Sequence, residues 1–132
     1  MEKKFINPAE LSAPRGYTHV VTAQGGRMIF VSGQVAIDKD GAIVGRGDLA
    51  AQARQAASNL KAALTSAGAT LADVVKINTY VVNYRPEDYK AIAAMRREFF
   101  AAENPPASTL VGVAALAIDG LLIEIECVAV AG

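Results

Sequence analysis

The sequence predicts an α+β fold in which two helices cover one face of a mixed six-stranded sheet. Apolar residues make up 52% of the 132-residue chain, which excludes a disordered protein and suits a single domain over residues 1–132. Two segments have helical periodicity, and each lies between runs rich in β-branched residues. Each predicted helix can therefore cross over the same face of one sheet.

The N-terminal part predicts a β-hairpin. An irregular lead-in over residues 1–16, with room for a short strand, is followed by β-rich runs at 17–23 and 27–31. The step Gln24-Gly25-Gly26 between these runs is typical of a hairpin turn. Ser32-Gly33 then interrupts the second run. A glycine inside a strand indicates a bulge or a close approach of the backbone to another group.

The first helix begins after Asp48, a residue type that accepts hydrogen bonds from the free N–H groups at a helix start. Gly68 suits the left-handed position just past its end. Small and aliphatic residues at steps of three and four predict its buried face, namely Leu49, Ala53, Ala56, Leu60, Ala63, Leu64 and Ala67. The residues assigned to the opposite, solvent side are Gln52, Arg54, Gln55, Asn59 and Lys61.

A central strand and a second helix follow. The β-branched run at 73–82 predicts the strand, and Pro86 suits the first turn of the helix. The predicted buried stripe of this helix is Tyr89, Ile92, Met95 and Phe99. Lys90, Arg96 and Arg97 are interpreted as largely exposed, and Asn104-Pro105-Pro106 ends the segment.

Residues 105–130 predict two final strands that pair across a turn at 117–120. In the last strand Ile123, Ile125, Cys127 and Ala129 alternate with Glu124, Glu126, Val128 and Val130. Carboxylates on a face that no helix covers require water, a ligand or a partner, and oligomerisation is the simplest cover. Pairing of these strands would bring the Ser108 and Thr109 hydroxyls to the carboxylates, which makes this pair the first candidate for chemistry.

Composition excludes several classes of function. Thirteen basic and thirteen acidic residues cancel, and no basic block is present, so no nucleic-acid partner is expected. No apolar run suits a signal peptide or a membrane span. The single Cys127 permits no disulfide within the chain, which favours a reducing, cytoplasmic location. One histidine (His19) and one cysteine cannot build a standard metal site, so neither a metal nor a cofactor is expected.

Three motifs resemble the RidA/YjgF family, also called L-PSP endoribonuclease-like. They are residues 31–35 (Val-Ser-Gly-Gln-Val), residues 51–60, and residues 106–111 taken together with 123–126. The resemblance implies a chorismate-mutase-like fold and a homotrimer with its sheets in an inner barrel and its helices outside. It also implies a small-molecule pocket in each cleft between subunits. Better-known members hydrolyse reactive imines and enamines to keto acids and ammonia.

The resemblance also implies a set of site residues. Tyr17 matches an aromatic residue at the pocket mouth, and Ser32 with Gly33 matches a Ser-Gly pair close to the ligand. Glu124 matches the acid that orients or activates the attacking water. Each has a structural alternative: Tyr17 as a packed aromatic residue, and Glu124 as a carboxylate paired across the trimer interface. Glu126 is interpreted as structural.

Ser108 is a departure from the family pattern, because deaminase members carry an arginine there that binds the substrate carboxylate. Losing such a charge-assisted bond costs about 1.5–3 kcal/mol. A 2-imino acid is therefore expected to bind poorly unless Arg15, Arg96 or Arg97 of a neighbour reaches the pocket. The Ser108 and Thr109 hydroxyls either bind a small ligand or only cap the start of a strand.

Three functions follow from these residues and the resemblance. The first is a cofactor-free hydrolase of a small imine or enamine, with Glu124 positioning water and a substrate other than the usual 2-imino acid. The second is a trimer that binds a small metabolite without turnover. The third, a nuclease or translation inhibitor, is disfavoured by the neutral charge balance.

Overall fold

The computed structural model describes all 132 residues and confirms the α+β class. The elements in chain order are β1 (Glu2–Ile6), β2 (Val20–Gln24), β3 (Arg27–Val35), α1 (Leu49–Ser66), β4 (Val74–Val82), α2 (Tyr89–Phe99), β5 (Ala107–Val113) and β6 (Ile123–Ala131). Short 3-10 turns at Leu71–Asp73 and Pro86–Asp88 lead into β4 and α2. Neither α-helix is both long enough and apolar enough to cross a membrane.

The six strands form two sheets rather than the single sheet that was predicted. β1 and β2 make an antiparallel ribbon, while the mixed four-stranded sheet has the order β3-β6-β4-β5. The predicted hairpin is wrong in its pairing, because β2 pairs with β1 and β3 pairs with β6. Core formation accounts for this pairing: beside β6, Ile29 lies next to Ala129 in the hydrophobic core, whereas β2 is almost entirely exposed. Gly25 and Gly26, both at positive φ, carry the chain from the ribbon to the sheet.

The two final strands are not neighbours, so their predicted pairing is also wrong. β4 lies between them, parallel to β5 and antiparallel to β6. Because α2 supplies the crossover that parallel strands need, β5 takes the free edge of β4. Ser108 is in register with Ile77 on the helix-covered face, whereas Glu124 is in register with Tyr80 on the opposite face. Of the two hydroxyls, only that of Thr109 shares a face with the carboxylates.

The ends of α1 are confirmed, and the alternation of β6 is confirmed as far as Val128; Val130, predicted on the open side, is buried. The Ala51 N–H donates to Asp48 Oδ1 at 3.1 Å, and Gly68 follows the helix with a φ of 75°. Leu60 and Leu64 are fully buried against the sheet. The inward residues of β6, all buried, are Ile123, Ile125, Cys127 and Ala129. Burial raises the pKa of the Cys127 thiol to about 11, which suits a core residue rather than a nucleophile.

Gln52 corrects the predicted polar face of α1, because its side chain is fully buried. Its Nε2 donates to the carbonyl oxygens of Gly45 and Gly120 at 3.2 and 3.0 Å. Its Oε1 accepts from the Leu122 N–H at 2.8 Å. One amide therefore joins the start of α1 to the loop before it and to the segment that leads into β6, where Glu124 lies.

Replacing Gln52 by Leu should lower the free energy of unfolding by about 2–4 kcal/mol, because it leaves up to three backbone groups unpaired. Urea unfolding monitored by circular dichroism measures the change. Gln55→Leu is the matched control, since the Gln55 amide donates only to Asn59 on the same helix. Equal losses in the two variants would contradict this role of Gln52.

The sheet face opposite the helices is open, as the alternation in β6 predicted. Phe30 and Met28 lie on it and are 72% and 60% exposed. Val128, Glu124 and Glu126 of β6 share this face. We call it the open sheet face.

Candidate functional site

A pocket of about 520 Å³ lies between α2, β5 and the loop before β2. We call it the α2/β5 pocket. Tyr17 and Ser108, two of the predicted ligand-binding residues, both line it. Tyr89, Ile92 and Leu110 add apolar wall. The structure therefore brings two of the predicted side chains together on the helix side of the sheet.

The loop that carries Tyr17 is tied to the start of β5. The buried Thr18 donates from its N–H to the Pro106 carbonyl at 3.2 Å and from Oγ1 to the Pro105 carbonyl at 2.5 Å. Because Pro105 and Pro106 directly precede β5, these bonds set Tyr17 beside Ser108. The Pro-Pro step that ends the helical segment thus also positions the pocket.

Arg96 corrects the prediction that it is largely exposed. Its guanidinium reaches into the pocket, where Nη2 donates to Ser108 Oγ at 2.5 Å and Nη1 to the Gly16 carbonyl at 3.5 Å. Its Nε is buried and has no hydrogen-bond partner. Burial lowers the pKa of Arg96 from its ordinary value. A signal was present in the sequence: Arg96 follows Ile92 by four residues and adjoins Met95, so it borders the buried stripe.

The α2/β5 pocket has an excess of positive charge. Arg15, Arg96 and Arg97 line it, and no aspartate or glutamate does. None of these three arginines takes part in the four ion pairs of the structure, which are Lys3–Asp73, Lys4–Glu2, Arg54–Glu98 and Arg85–Glu87. A pocket with uncompensated guanidinium groups and a serine hydroxyl can accept a small anion.

A second cluster lies on the other side of the sheet, where β3 meets β6. The register between these strands shifts between Val31 and Gln34, so Ser32-Gly33 forms the predicted irregularity. A Cβ added at Gly33 would overlap the carboxylate of Glu124. The predicted close approach at Gly33 is therefore confirmed, and the group that approaches is Glu124. Ser32 beside it is exposed.

The two glutamates of β6 differ in their partners. Glu126 Oε1 accepts from Tyr80 Oη at 2.5 Å and from Asn78 Nδ2 at 3.3 Å. The hydrogen bond to Glu126, with desolvation and the charges of Glu126 and Glu124, raises the pKa of Tyr80. Glu124 has neither a hydrogen bond nor an ion pair to its side chain. Its carboxylate is therefore available to a water or a ligand.

The predicted site residues thus fall into two clusters on opposite faces of one sheet. Thr109 is on the open sheet face, where its Oγ1 accepts from Lys76 Nζ at 2.8 Å. Ser108 points toward α2, away from Glu124. A single chain cannot bring these two side chains to one ligand. No group of three or more His, Cys, Asp or Glu side chains suited to a metal ion is present.

Two helices on one face of a mixed sheet place this chain among the small α+β proteins. The family model described as Endoribonuclease L-PSP matches residues 8–131. The chain belongs to this family, which also carries the names RidA and YjgF, and the resemblance seen in the motifs is confirmed.

Relatives agree with this assignment over most of the chain. A RutC family protein of Synechocystis is 36% identical over 132 residues, covering 98% of each chain. A 2-iminobutanoate/2-iminopropanoate deaminase of Salmonella typhimurium is 39% identical over 108 residues, covering 80% of each. The family therefore includes imine deaminases.

Solved structures share the fold. The crystal structure of YyfB, a conserved Rid family protein of Yersinia pestis, superposes on this chain with a TM-score of 0.92. The two sequences are 44% identical, and the match covers 98% of this chain and 99% of that chain. The YjgF product of Escherichia coli is 37% identical, with a TM-score of 0.68 over 83% of this chain and 84% of that chain. The fold class predicted from the resemblance is confirmed.

Proposed function

We propose that the protein is a homotrimer that hydrolyses a small imine or enamine in clefts between its subunits, without a cofactor. The observation that carries this proposal is the unpartnered carboxylate of Glu124 against Gly33, on an open sheet face. Each chain holds one half of a site there and the other half in the α2/β5 pocket. Assembly with the sheets facing inward would join the first half of one chain to the second half of its neighbour.

The exposed apolar residues of the open sheet face support assembly. Phe30 and Met28 would be covered in a trimer, and apolar burial contributes about 25 cal/mol per Å².

The buried thiol of Cys127 suits a reducing compartment, so we place the protein in the cytoplasm.

Replacing Phe30 by Asp should dissociate the trimer, because it puts a charge in the centre of the proposed interface. Light scattering coupled to size exclusion measures the mass, which should fall to that of one 13.8 kDa chain. Ala62→Asp on the exposed side of α1 is the control and should stay trimeric. If Phe30→Asp had the same mass as the wild-type assembly, the proposed interface through the open sheet face would be refuted.

The proposed chemistry needs only water and one carboxylate. Glu124 accepts a proton from water while the water oxygen bonds to the imine carbon and the C=N π electron pair moves to nitrogen. The carboxyl group then passes that proton to the nitrogen. The resulting amino alcohol then expels ammonia and leaves a carbonyl compound. An enamine enters the same route after tautomerisation to the imine. Tyr17, Ser108, Ser32 and Gly33 shape the cleft, and Thr109 lies at its border.

The substrate in this proposal differs from the usual small 2-imino acids. By the family resemblance, Ser108 occupies the position of an arginine that would hold a carboxylate from β5. The guanidinium that contacts Ser108 in this protein is that of Arg96, which comes from α2. A ligand anion would accordingly lie nearer the helix.

Ammonia release from freshly generated imines tests the activity. Amino acid oxidase with a range of amino acids supplies 2-imino acids, and a coupled assay follows ammonia. We expect acceleration over buffer with at least one imine, and a smaller effect with 2-iminopropanoate. No acceleration with any imine, together with binding of the product acids, would favour the metabolite-binding trimer instead.

A further inference from the structure

Arg96 is held in the α2/β5 pocket without a counter-charge. Nη2 and Nη1 have protein partners, but the buried Nε–H has none. A buried donor without a partner is destabilising. An anion in the pocket would neutralise this guanidinium, which lines the pocket and forms no ion pair with the protein.

Ser108 completes a place for the anion. Its Oγ accepts the bond from Arg96, so its own hydroxyl hydrogen is free to point toward a ligand oxygen. Arg15 and Arg97 line the same pocket and add positive charge. The structure therefore supplies charged and neutral donors together, with no carboxylate among the lining residues to compete.

The remainder of the pocket is apolar and roomy. Tyr17, Tyr89, Ile92 and Leu110 line a volume of about 520 Å³. Tyr89 was predicted to be buried, yet it is 45% exposed at the pocket. Aromatic and aliphatic walls beside a fixed cation suit a ligand that has one anionic end and a flat or branched apolar body.

We infer that Arg96 and Ser108 bind the carboxylate of the substrate, and that its apolar body is larger than that of 2-iminopropanoate or 2-iminobutanoate. This inference names the substrate class of the proposed hydrolase and rests on that proposed function. An aromatic or branched 2-imino acid fits the description. Arg96 is then the residue that determines specificity, and it acts from a helix rather than from β5.

Equilibrium binding of unreactive analogues tests the inference without turnover. The three probes are phenylpyruvate, pyruvate and phenylacetone, which has the aromatic body without the carboxylate. By calorimetry we expect phenylpyruvate to bind at least about 10-fold more tightly than either of the others, as one charge-assisted bond predicts. Arg96→Gln should weaken phenylpyruvate binding by about 10- to 100-fold and leave phenylacetone unchanged.

Lys90→Gln is the matched control, because it removes a positive charge from an exposed position of α2 outside the pocket. A second variant, Arg96→Ala with Ser108→Arg, moves the guanidinium back to β5 and should narrow the preference for phenylpyruvate over pyruvate. Circular dichroism verifies that each variant is folded.

Equal binding of phenylpyruvate and phenylacetone, no binding of phenylpyruvate, or unchanged phenylpyruvate binding in Arg96→Gln would overturn the inference. Binding as expected without ammonia release from any imine would overturn only the proposed hydrolysis. Because the two readouts are separate, failure of one can be told from failure of the other.

Discussion

Replacing Glu124 by Gln should reduce imine hydrolysis by about 10²- to 10⁴-fold, the usual contribution of a positioned general base. The amide keeps the shape of the side chain but cannot accept a proton from the attacking water. The free carboxylate of Glu124 beside Gly33 makes this the largest effect we expect. Ammonia release under saturating imine measures it, and binding of the product acid should be nearly unchanged.

Glu126→Gln is the matched control, since it lies two residues away on the same face of the same strand. Tyr80 and Asn78 already donate to its carboxylate, which indicates a structural role. We expect less than about a 10-fold change in rate for Glu126→Gln, and a lower free energy of unfolding because the bond to Tyr80 weakens. Similar rate losses for both variants would refute the assignment of Glu124 as the base.

Gly33→Ala should lower the rate by about 10²-fold while leaving the free energy of unfolding nearly unchanged. A methyl group at Gly33 would occupy the place of the Glu124 carboxylate, which is the end of a flexible side chain and can move. A displacement of about 1 Å in a reacting group can cost this much in rate. Ammonia release and urea unfolding of the same preparation separate the two effects.

The double variant Gly33→Ala with Glu124→Asp provides the control for Gly33. The shorter aspartate withdraws the carboxylate from the added methyl group, so the double variant should be less impaired than the two single losses combined. Purely additive losses would indicate that Gly33 does not act through Glu124.

Local patterns in the sequence predicted the elements, but not how distant strands pair. Asp48 and Gly68 mark the ends of α1 because capping is decided by a few neighbouring residues. The alternation of β6 predicted its two faces correctly over residues 123–128 for the same reason, whereas Val130 near the end of the strand is buried. The pairing of β3 with β6 is set by competition among strands far apart in the chain, and no short motif encodes it.

In the candidate site, too, features set by neighbouring residues could be predicted from the sequence, whereas contacts between distant elements could not. The glycine inside the strand predicted that another group approaches the backbone at Gly33, and the structure shows that this group is the Glu124 carboxylate. Arg96 was missed because a helical wheel treats a long cationic side chain as exposed, whereas its stem can run along an apolar surface and deliver the guanidinium to a pocket. Its contact with Ser108 depends on the position of β5 beside α2, which only the fold determines.

Subunit mixing tests most directly whether each site is shared between two chains. Glu124→Gln removes the base, and Ser108→Trp fills the α2/β5 pocket, so each variant alone should be nearly inactive. Co-refolding the two variants in equal amounts should restore roughly a quarter of the wild-type rate. In a random mixture, about a quarter of the clefts take their Glu124 from a Ser108→Trp chain and their pocket from a Glu124→Gln chain. Mixed assemblies that stay as inactive as the separate variants would contradict the shared cleft.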